Sequence, residues 1–433
     1  MSLRRYVNLV TENCHQGIYS LRRLNSDNFF FPADEAAAKA RDLPRLRRVP
    51  PPNLHSWIAQ KNKMKKHAAA PSGQQQLEPT IRSPPPMFSL RPTNGKRPEL
   101  HFFPLSGTKV FFADCGKRTT LYDTEARCAI TTPSLHAPKY YPVALSVPGP
   151  GTEGEEDSRS LYIMDTRLDP SNATPFEALI CRRPAANTFA KKTWHCEALP
   201  PPPFFSHPRE MYKSVLSYAV VGDLICVSLT IGGTYCFDTV SRTWSLAGDW
   251  QMPFSGKAEY EPELKLWFGV SVDNHQLPCA TDLSPILRGR APKKQPRYIW
   301  GNPDVPGDWF PDLYYPANIV SLGSGRFCIV NFFRDMGDLS SSWGDELSDT
   351  DGLPVVLISG LEVLACNDNG NGKASSSSDS DKDGNCSGKG NGKESCSNSD
   401  KQNCSRNGNG LRMIKHKSRL CRNDYAFDVK SIL

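Results

Sequence analysis

The sequence has no apolar run of about 18 residues, the length that a membrane-spanning helix needs. Its N-terminal segment also lacks the continuous apolar stretch of a secretory signal. An Arg-containing transit peptide is the alternative for this segment, but strand-like residues on both sides of a turn favour a β-hairpin. We therefore expect no membrane association, and a location in the cytoplasm, the nucleus or both.

The sequence also lacks the residue spacings that are typical of metal sites and catalytic sites. No two of the 14 cysteines are closer than Cys396 and Cys404, so there is no CxxC zinc pair. The nine histidines form no HxxH or HxxxH pair, and residues 370–373 and 390–393 lack the first glycine of a phosphate-binding loop. We expect no catalytic residue, no metal and no cofactor.

An excess of positive over negative charge is confined to one segment. The chain carries 52 Lys and Arg against 45 Asp and Glu, a net charge of +7, yet residues 45–97 alone contribute eleven basic side chains and one acidic side chain. This segment is rich in proline and glutamine, and a solvated linker is the expected structure. A nuclear address or an affinity for nucleic acid is the alternative, although only Trp57 and Phe88 could stack on bases.

These shifts in composition divide the chain. Residues 1–31 are predicted to form a β-hairpin that completes a larger sheet structure. Residues 32–98 are predicted to form a short helix followed by the disordered basic linker. Residues 99–433 are predicted to form the main all-β body, interrupted at 367–410 by a disordered segment of Asn, Gly, Ser, Lys and Asp.

What the main body does contain is a succession of short strands. Residues 225–254 predict three strands in a row, broken at Gly232-Gly233 and again near Arg242. One such meander buries a single face, so it needs neighbours of the same kind. The fold class predicted is a β-propeller of about six four-stranded blades, within a range of five to seven.

A sequence repeat supports this prediction. YDTEARCA at 122–129 aligns with FDTVSRTW at 237–244, each with an aromatic residue, Asp-Thr and an Arg five residues after the aromatic. Recurrences 42 to 50 residues apart suit one blade of a propeller. We interpret the aspartates as turn caps and the tryptophans as packing between blades. The repeat positions are Asp123, Asp165, Asp238, Asp282, Trp194 and Trp244.

Two groups of residues are candidates for protein binding. Residues 301–318 place aromatic side chains among prolines and acids, where stiff anchors would lose little entropy on docking. The alternative is that these rings cover the edge of the propeller. A second group begins the following blade and could line one mouth of the channel. The candidates are Trp309, Phe310, Tyr314, Tyr315, Lys257, Glu259 and Tyr260.

Residues 237–244 are similar to the kelch signature, which has an aromatic-Asp pair with Trp seven residues after the aromatic. The chain as a whole resembles a plant family, expanded in cereal grasses, that is known as a domain of unknown function with a kelch-like β-propeller. The resemblance covers nearly the full length outside the two polar segments. It is carried by SLRRYVNL, YSLRRL, PSLHAPK, LYIMD, WHCEALPPPPF, SYAVV, TYCFDT, GKAEYEPELKLWFG, LGSGRFCI and LRMIKHKS. It implies a fold and no activity.

The sequence thus favours a monomeric, non-catalytic scaffold or adaptor that binds an unidentified protein through its loops and its channel mouth. An enzyme or small-ligand binder that uses the central channel is one alternative. A nuclear or nucleic-acid-associated factor that acts through the basic linker is the other.

Overall fold

The structure is a computed structural model, and it is almost entirely β. In the part of the chain that it describes there is one α-helix, α1, at Ala33–Asp42, and 25 strands. No helix in this part combines the length and the apolarity needed to cross a bilayer. The described residues are 3–42, 80–92, 99–149, 158–166, 172–182, 192–206, 214–273, 277–294, 296–300, 305–306, 309–312, 315, 317–335, 353–366, 410–421 and 427–433.

The strands form six antiparallel units of four, which we call blades. Blade 1 contains β1 (Tyr6–Asn13), β2 (Ile18–Asn25), β3 (Phe88–Leu90) and β25 (Phe427–Ile432). Blade 2 contains β4 (Leu100–Pro104), β5 (Lys109–Asp114), β6 (Thr119–Asp123) and β7 (Cys128–Thr131). Blade 3 contains β8 (Pro142–Val147), β9 (Ser160–Asp165), β10 (Phe176–Arg182) and β11 (Thr193–Ala198).

The second half of the chain repeats this arrangement. Blade 4 contains β12 (Val215–Val221), β13 (Leu224–Leu229), β14 (Thr234–Asp238) and β15 (Thr243–Gly248). Blade 5 contains β16 (Phe254–Glu261), β17 (Leu266–Ser271), β18 (Pro278–Thr281) and β19 (Tyr298–Ile299). Blade 6 contains β21 (Asn318–Gly323), β22 (Arg326–Asp335), β23 (Leu353–Cys366) and β24 (Gly410–Cys421), with β20 (Trp309–Pro311) beside β22.

The two ends of the described chain meet in blade 1. The inner strand β25 pairs antiparallel with β1, with Leu9 opposite Ile432. Backbone hydrogen bonds join Asn8 and Leu433 in both directions, at 3.0 and 2.8 Å. Because the last strand completes a sheet begun by the first two, the ring of blades is closed by strand pairing.

Apolar clusters fill every seam between neighbouring blades. Alternate residues of a strand point to opposite faces, so one strand serves two seams. On β5, Val110 and Phe112 pack towards blade 1, whereas Phe111 packs towards blade 3. The other four clusters join blades 3 and 4, 4 and 5, 5 and 6, and 6 and 1. The prediction of an all-β propeller of about six blades is confirmed.

Three of the repeated aspartates occupy the same place at the end of a blade's third strand. Asp123 Oδ1 accepts the backbone N–H groups of residues 125 and 126, each at 2.9 Å. Asp238 Oδ1 does the same for residues 240 and 241, at 2.8 and 3.0 Å. Asp282 Oδ1 accepts the N–H of Ser284 at 2.9 Å. Each carboxylate therefore caps a turn.

Asp165 is not equivalent to them, which corrects the repeat register. It ends β9, the second strand of its blade, and its oxygens accept the backbone N–H groups of Tyr140 and Tyr141 at 3.2 Å each. Second and third strands share the same alternating pattern, so sequence alignment alone did not distinguish them.

The two tryptophans do lie at equivalent positions, on the outermost strands β11 and β15. The Trp194 ring packs edge-on against Phe111 of the preceding blade, with centroids 4.9 Å apart. The Trp244 ring packs against Phe176 of its own preceding blade at 5.4 Å, and its Nε1 donates to the Pro200 carbonyl at 2.9 Å. Both side chains contribute to seams between blades.

The interpretation of residues 32–98 as helix and disordered linker needs one correction. Residues 88–90 form β3, the outer strand of blade 1, and the Phe88 ring stacks on Tyr122 at 4.9 Å. The sequence pattern missed it because three apolar-alternating residues among prolines hardly change the local composition. Residues 43–79 and 93–98, and nearly all of the polar segment 367–410, lie outside the described residues.

Candidate functional site

The innermost strands of all six blades surround a central channel. Inside it lies a cavity of about 160 Å³ lined by side chains from β4, β8, β12, β16, β21 and β25. Two of the predicted residues, Lys257 and Glu259, line this cavity, and Lys257 Nζ lies 2.6 Å from Glu259 Oε1. Burial, followed by the negative charge of Glu259, raises the pKa of the neighbouring Tyr218 to about 12.

A larger recess of about 630 Å³ opens where the inner strands β4 and β8 begin. Its polar wall includes Glu12, Glu99 and Lys430, and its aromatic wall includes Tyr19 and Tyr315. Pro142, the first residue of β8, lines both this recess and the channel cavity, so the recess is a mouth of the channel.

The charges in the mouth are partly paired. Lys430 Nζ lies 2.9 Å from Glu12 Oε2 and donates to the Tyr315 hydroxyl at 3.4 Å. Burial, followed by the nearby Glu12 carboxylate, raises the pKa of Tyr19, and burial lowers the pKa of His101. Both groups are therefore neutral near pH 7, which leaves two carboxylates and one ammonium group in the mouth.

Two exposed tyrosines directly precede Pro142, which lines this mouth, and we call this pair the rim. The side chains of Tyr140 and Tyr141 are 46% and 61% exposed. Hydrogen bonds to a buried carboxylate hold their backbone, because Asp165, which is only 1% exposed, accepts both N–H groups. The Thr166 hydroxyl also donates to the Tyr141 carbonyl at 2.7 Å. The rim is thus rigid although its side chains are solvent-exposed.

A buried polar cluster anchors the same loop a few residues earlier. Glu177 on β10 is fully buried, and Lys139 is 3% exposed and donates to Glu177 Oε1. Glu177 also accepts the backbone N–H groups of His136, at 2.7 Å, and Ala137, at 3.2 Å. The remaining bonds of the Lys139 ammonium go to the Ala137 and Thr174 carbonyls, at 2.9 Å each. Every strong donor here has an acceptor.

His136 and Cys196 complete this cluster. His136 Nδ1 lies 2.7 Å from Glu177 Oε2, and the Cys196 thiol donates to the same oxygen at 3.2 Å. Cys196 Sγ is 3.6 Å from His136 Nδ1. Burial alone would raise the pKa of Glu177, but the hydrogen bonds from His136 and Lys139 hold it below its ordinary value. Burial and the Glu177 carboxylate raise the pKa of Cys196 to about 12.

The cluster resembles a Cys-His-Glu catalytic triad in composition but not in geometry. In a triad the histidine uses one ring nitrogen for the nucleophile and the other for the carboxylate. Here Cys196 and Glu177 both approach Nδ1 of His136. A reactive cysteine also needs a depressed pKa, whereas that of Cys196 is raised. This thiol is protonated and not an activated nucleophile.

The other protein-binding candidates, from residues 301–318 and from β16, do not form one surface. Trp309 is 5% exposed and packs against Phe333, with ring centroids 5.8 Å apart, so it is a core side chain of blade 6 and not an exposed anchor. Tyr315 is half-buried in the channel mouth. Tyr314 and the side chain of Phe310 lie outside the described residues. Tyr260 is 45% exposed and its ring packs against Trp267 in a tilted arrangement, with centroids 4.5 Å apart.

Sequence reasoning missed the rim tyrosines and the buried cluster. His136, Glu177 and Cys196 span 60 residues and three structural segments, so no local spacing brings them together. The one available signal was PSLHAPK at 133–139, which places a histidine and a lysine in the loop that precedes an inner strand.

Comparison with solved structures finds β-propellers. One is the β-propeller domain of Cps50 (Swd1) from Myceliophteria thermophila, with 10% identity over 53% of this chain and 66% of that chain and a TM-score of 0.29. Another is the WD40 domain of SCAP from fission yeast, with 9% identity over 64% of this chain and 75% of that chain and a TM-score of 0.28. Both scores are low, so the fold assignment depends on the sheets and seams described above.

Comparison with curated proteins gives no match. A protein family does match the sequence over residues 4–422, which include strands of all six blades and the buried cluster. That family is described as a protein of unknown function (DUF1668), and this chain belongs to it.

Proposed function

We propose that this chain is a non-catalytic protein-interaction scaffold of the kelch-like propeller type, and that it docks its partner at the channel mouth. The observation that carries the proposal is the exposed pair Tyr140 and Tyr141, which directly precedes a lining residue of a recess of about 630 Å³ and whose backbone N–H groups are held by the buried Asp165 carboxylate. As part of the same proposal, the protein is a monomer in the cytoplasm or the nucleus of a plant cell.

The hydrogen bonds that hold the backbone of Tyr140 and Tyr141 favour binding because they lower the conformational entropy lost on docking. Tyrosine supplies a large contact area with few rotatable bonds, and it is enriched among the residues that dominate interface energies. The loop backbone is already ordered by Asp165 and Glu177, so the partner does not have to order it.

The charge of the mouth indicates what the partner presents. Glu12 is paired with Lys430, whereas Glu99 is exposed in the same recess. A basic side chain that enters the mouth would meet the Glu99 carboxylate and the aromatic wall of Tyr19 and Tyr315, both of which attract cations. We infer that the docking segment of the partner carries a lysine or an arginine.

The volume of the mouth also favours a second candidate, the binding of a small ligand. About 630 Å³ lies within the range of about 300–1,000 Å³ that small-molecule sites occupy. The deeper channel cavity, at about 160 Å³, is below that range. The alternative that invokes the basic linker concerns residues 45–97, most of which lie outside the described part of the chain.

The test is a quantitative pull-down with the full chain from extracts of its source tissue. Tyr140→Ser plus Tyr141→Ser is compared with the wild type, and Val240→Ser is the matched control because Val240 is 69% exposed on a blade-4 turn. A partner enriched by the wild type is then purified, and its dissociation constant is measured with each variant.

We expect the double tyrosine variant to weaken binding at least about tenfold, because two central aromatic anchors are removed, and the Val240 variant to bind normally. Equal weakening by both variants, or by neither, contradicts the docking site. If no protein is enriched and the purified chain instead binds small molecules at the mouth, the second candidate is correct.

A further inference from the structure

The cluster of His136, Glu177 and Cys196 brings together three atoms that can each bind a metal ion, which anchoring a loop does not require. Its three donor atoms are a ring nitrogen, a carboxylate oxygen and a sulfur, and all lie within 4.8 Å of one another. We propose that His136, Glu177 and Cys196 form a binding site for one divalent transition metal ion, with Zn²⁺ as the ion that fits best.

The donor atoms lie close enough together to share one ion, and Nδ1 and Oε2 have to move apart by about 0.7 Å to reach the separation of about 3.4 Å in a tetrahedral zinc site. The separations are 2.7 Å from Nδ1 to Oε2, 3.2 Å from Sγ to Oε2 and 3.6 Å from Sγ to Nδ1. A circle through three such points has a radius of about 1.9 Å, so a point about 1 Å above their plane is about 2.1 Å from each atom. Zinc bonds to nitrogen and oxygen are about 2.0–2.2 Å long and bonds to sulfur about 2.3 Å.

The donor set selects among metals. One thiolate, one imidazole and one carboxylate are ligands that zinc commonly accepts, whereas calcium and magnesium prefer oxygen alone. Three protein ligands leave one tetrahedral position for water. The His136 side chain is 47% exposed, so this side of the cluster is open to solvent and offers the ion a path of entry.

The neighbours of Glu177 already orient it for this role. Lys139 and the Ala137 N–H bind Oε1, which leaves the other carboxylate oxygen turned towards His136 and Cys196. Hydrogen bonds of this kind to a ligating carboxylate fix its geometry and tune the affinity of the site. Lys139 is therefore a positioning residue and not a ligand.

Binding must displace a proton. The Cys196 thiol loses its proton to solvent when sulfur coordinates the ion, and His136 must carry its own proton on Nε2 so that Nδ1 is free to bind. A bound metal ion would link the loop that contains His136 to strands β10 and β11. Affinity should therefore fall as pH is lowered, because protons compete with the metal.

The experiment uses the full chain, stripped with a chelator under reducing conditions and then titrated with Zn²⁺ against a chromophoric chelator. A parallel sample receives Co²⁺, whose spectrum reports a bond to thiolate. We expect one tight site, with a thiolate-to-cobalt charge-transfer band. We also expect Cys196→Ser to lose the band and His136→Ala to weaken binding at least about tenfold.

The control variants are Cys181→Ser and His195→Ala, which lie on the same two strands but outside the cluster. Both should bind metal like the wild type. The proposal is overturned if the wild type shows no tight site, or if Cys196→Ser and His136→Ala bind as the wild type does. Circular dichroism of each variant separates the loss of a ligand from the loss of the fold.

Discussion

Two buried glutamates, Glu177 on β10 and Glu261 on the inner strand β16, have opposite surroundings. Glu177 is fully buried, and both of its oxygens accept several hydrogen bonds, including one from the Lys139 ammonium. Glu261, at the end of β16, is 1% exposed, and its Oε2 accepts a hydrogen bond from the Ser321 hydroxyl at 3.2 Å. Among the described residues, Glu261 Oε1 has no partner.

The pKa values follow this difference. Hydrogen bonds and the ammonium group hold the pKa of Glu177 below its ordinary value, whereas burial raises the pKa of Glu261. A carboxylate with a lowered pKa stabilises the folded state above its unfolded pKa of about 4.5, and a carboxyl with a raised pKa destabilises it when ionised. Burial alone does not decide what a charge contributes; its partners do.

The largest effect should come from Glu177→Gln. It leaves the buried Lys139 ammonium without a counter-ion, so we expect a loss of about 3–5 kcal/mol in the free energy of unfolding at pH 7. The loss should be constant above pH 5 and shrink below about pH 4.5, as wild-type Glu177 itself becomes protonated. Urea denaturation across this pH range measures it. A loss that is equal at pH 7 and pH 3 contradicts the assignment.

Lys139→Met should cost less, about 2–3 kcal/mol, because Glu177 keeps its two backbone N–H donors and its contact with His136. Methionine fills the same space without a charge. Combining it with Glu177→Gln in a double-mutant cycle isolates the energy of the pair. If the two losses simply add, the ammonium and the carboxylate are not coupled, and the contrast with Glu261 loses its basis.

Glu261→Gln should have the smallest effect and the opposite sign. Removing a poorly solvated negative charge should raise the free energy of unfolding by on the order of 1 kcal/mol at pH 7. The gain should disappear as pH falls through the raised pKa of Glu261 towards 4.5, because the wild-type carboxyl is then neutral too. The same denaturation series measures it. A loss comparable to that of Glu177→Gln shows that Glu261 has a strong partner.

Much of the fold was accessible from the sequence because it depends on local signals. The turn from Phe237 to Trp244 predicted two strands, and β14 and β15 lie there, with Asp238 capping the turn. The break at Gly232-Gly233 reflects backbone geometry, since a Cβ on Gly233 would lie 2.2 Å from the Gly248 carbonyl oxygen. Such features need no knowledge of distant residues.

The candidate site was not accessible in the same way. Trp309 was a candidate for protein binding because it stands among prolines and acids, with packing against the propeller edge as the alternative, and the long strands of blade 6 bury it. Tyr140 and Tyr141 carry no local sequence signal, because their backbone is held by Asp165, which lies 24 residues beyond Tyr141. The kelch-like type and the partner stay predictions.

The sequence by itself determined that short alternating strands form four-stranded units and that tight turns separate them, because alternation and turn chemistry act between neighbours along the chain. Only the tertiary structure decided which carboxylates are paired and which residues surround the channel mouth. Packing of the loop before β8 against β10 and β11 brings His136, Glu177 and Cys196 within contact distance. The charge and hydrogen bonding of a buried group depend on what packing places beside it, which local sequence does not specify.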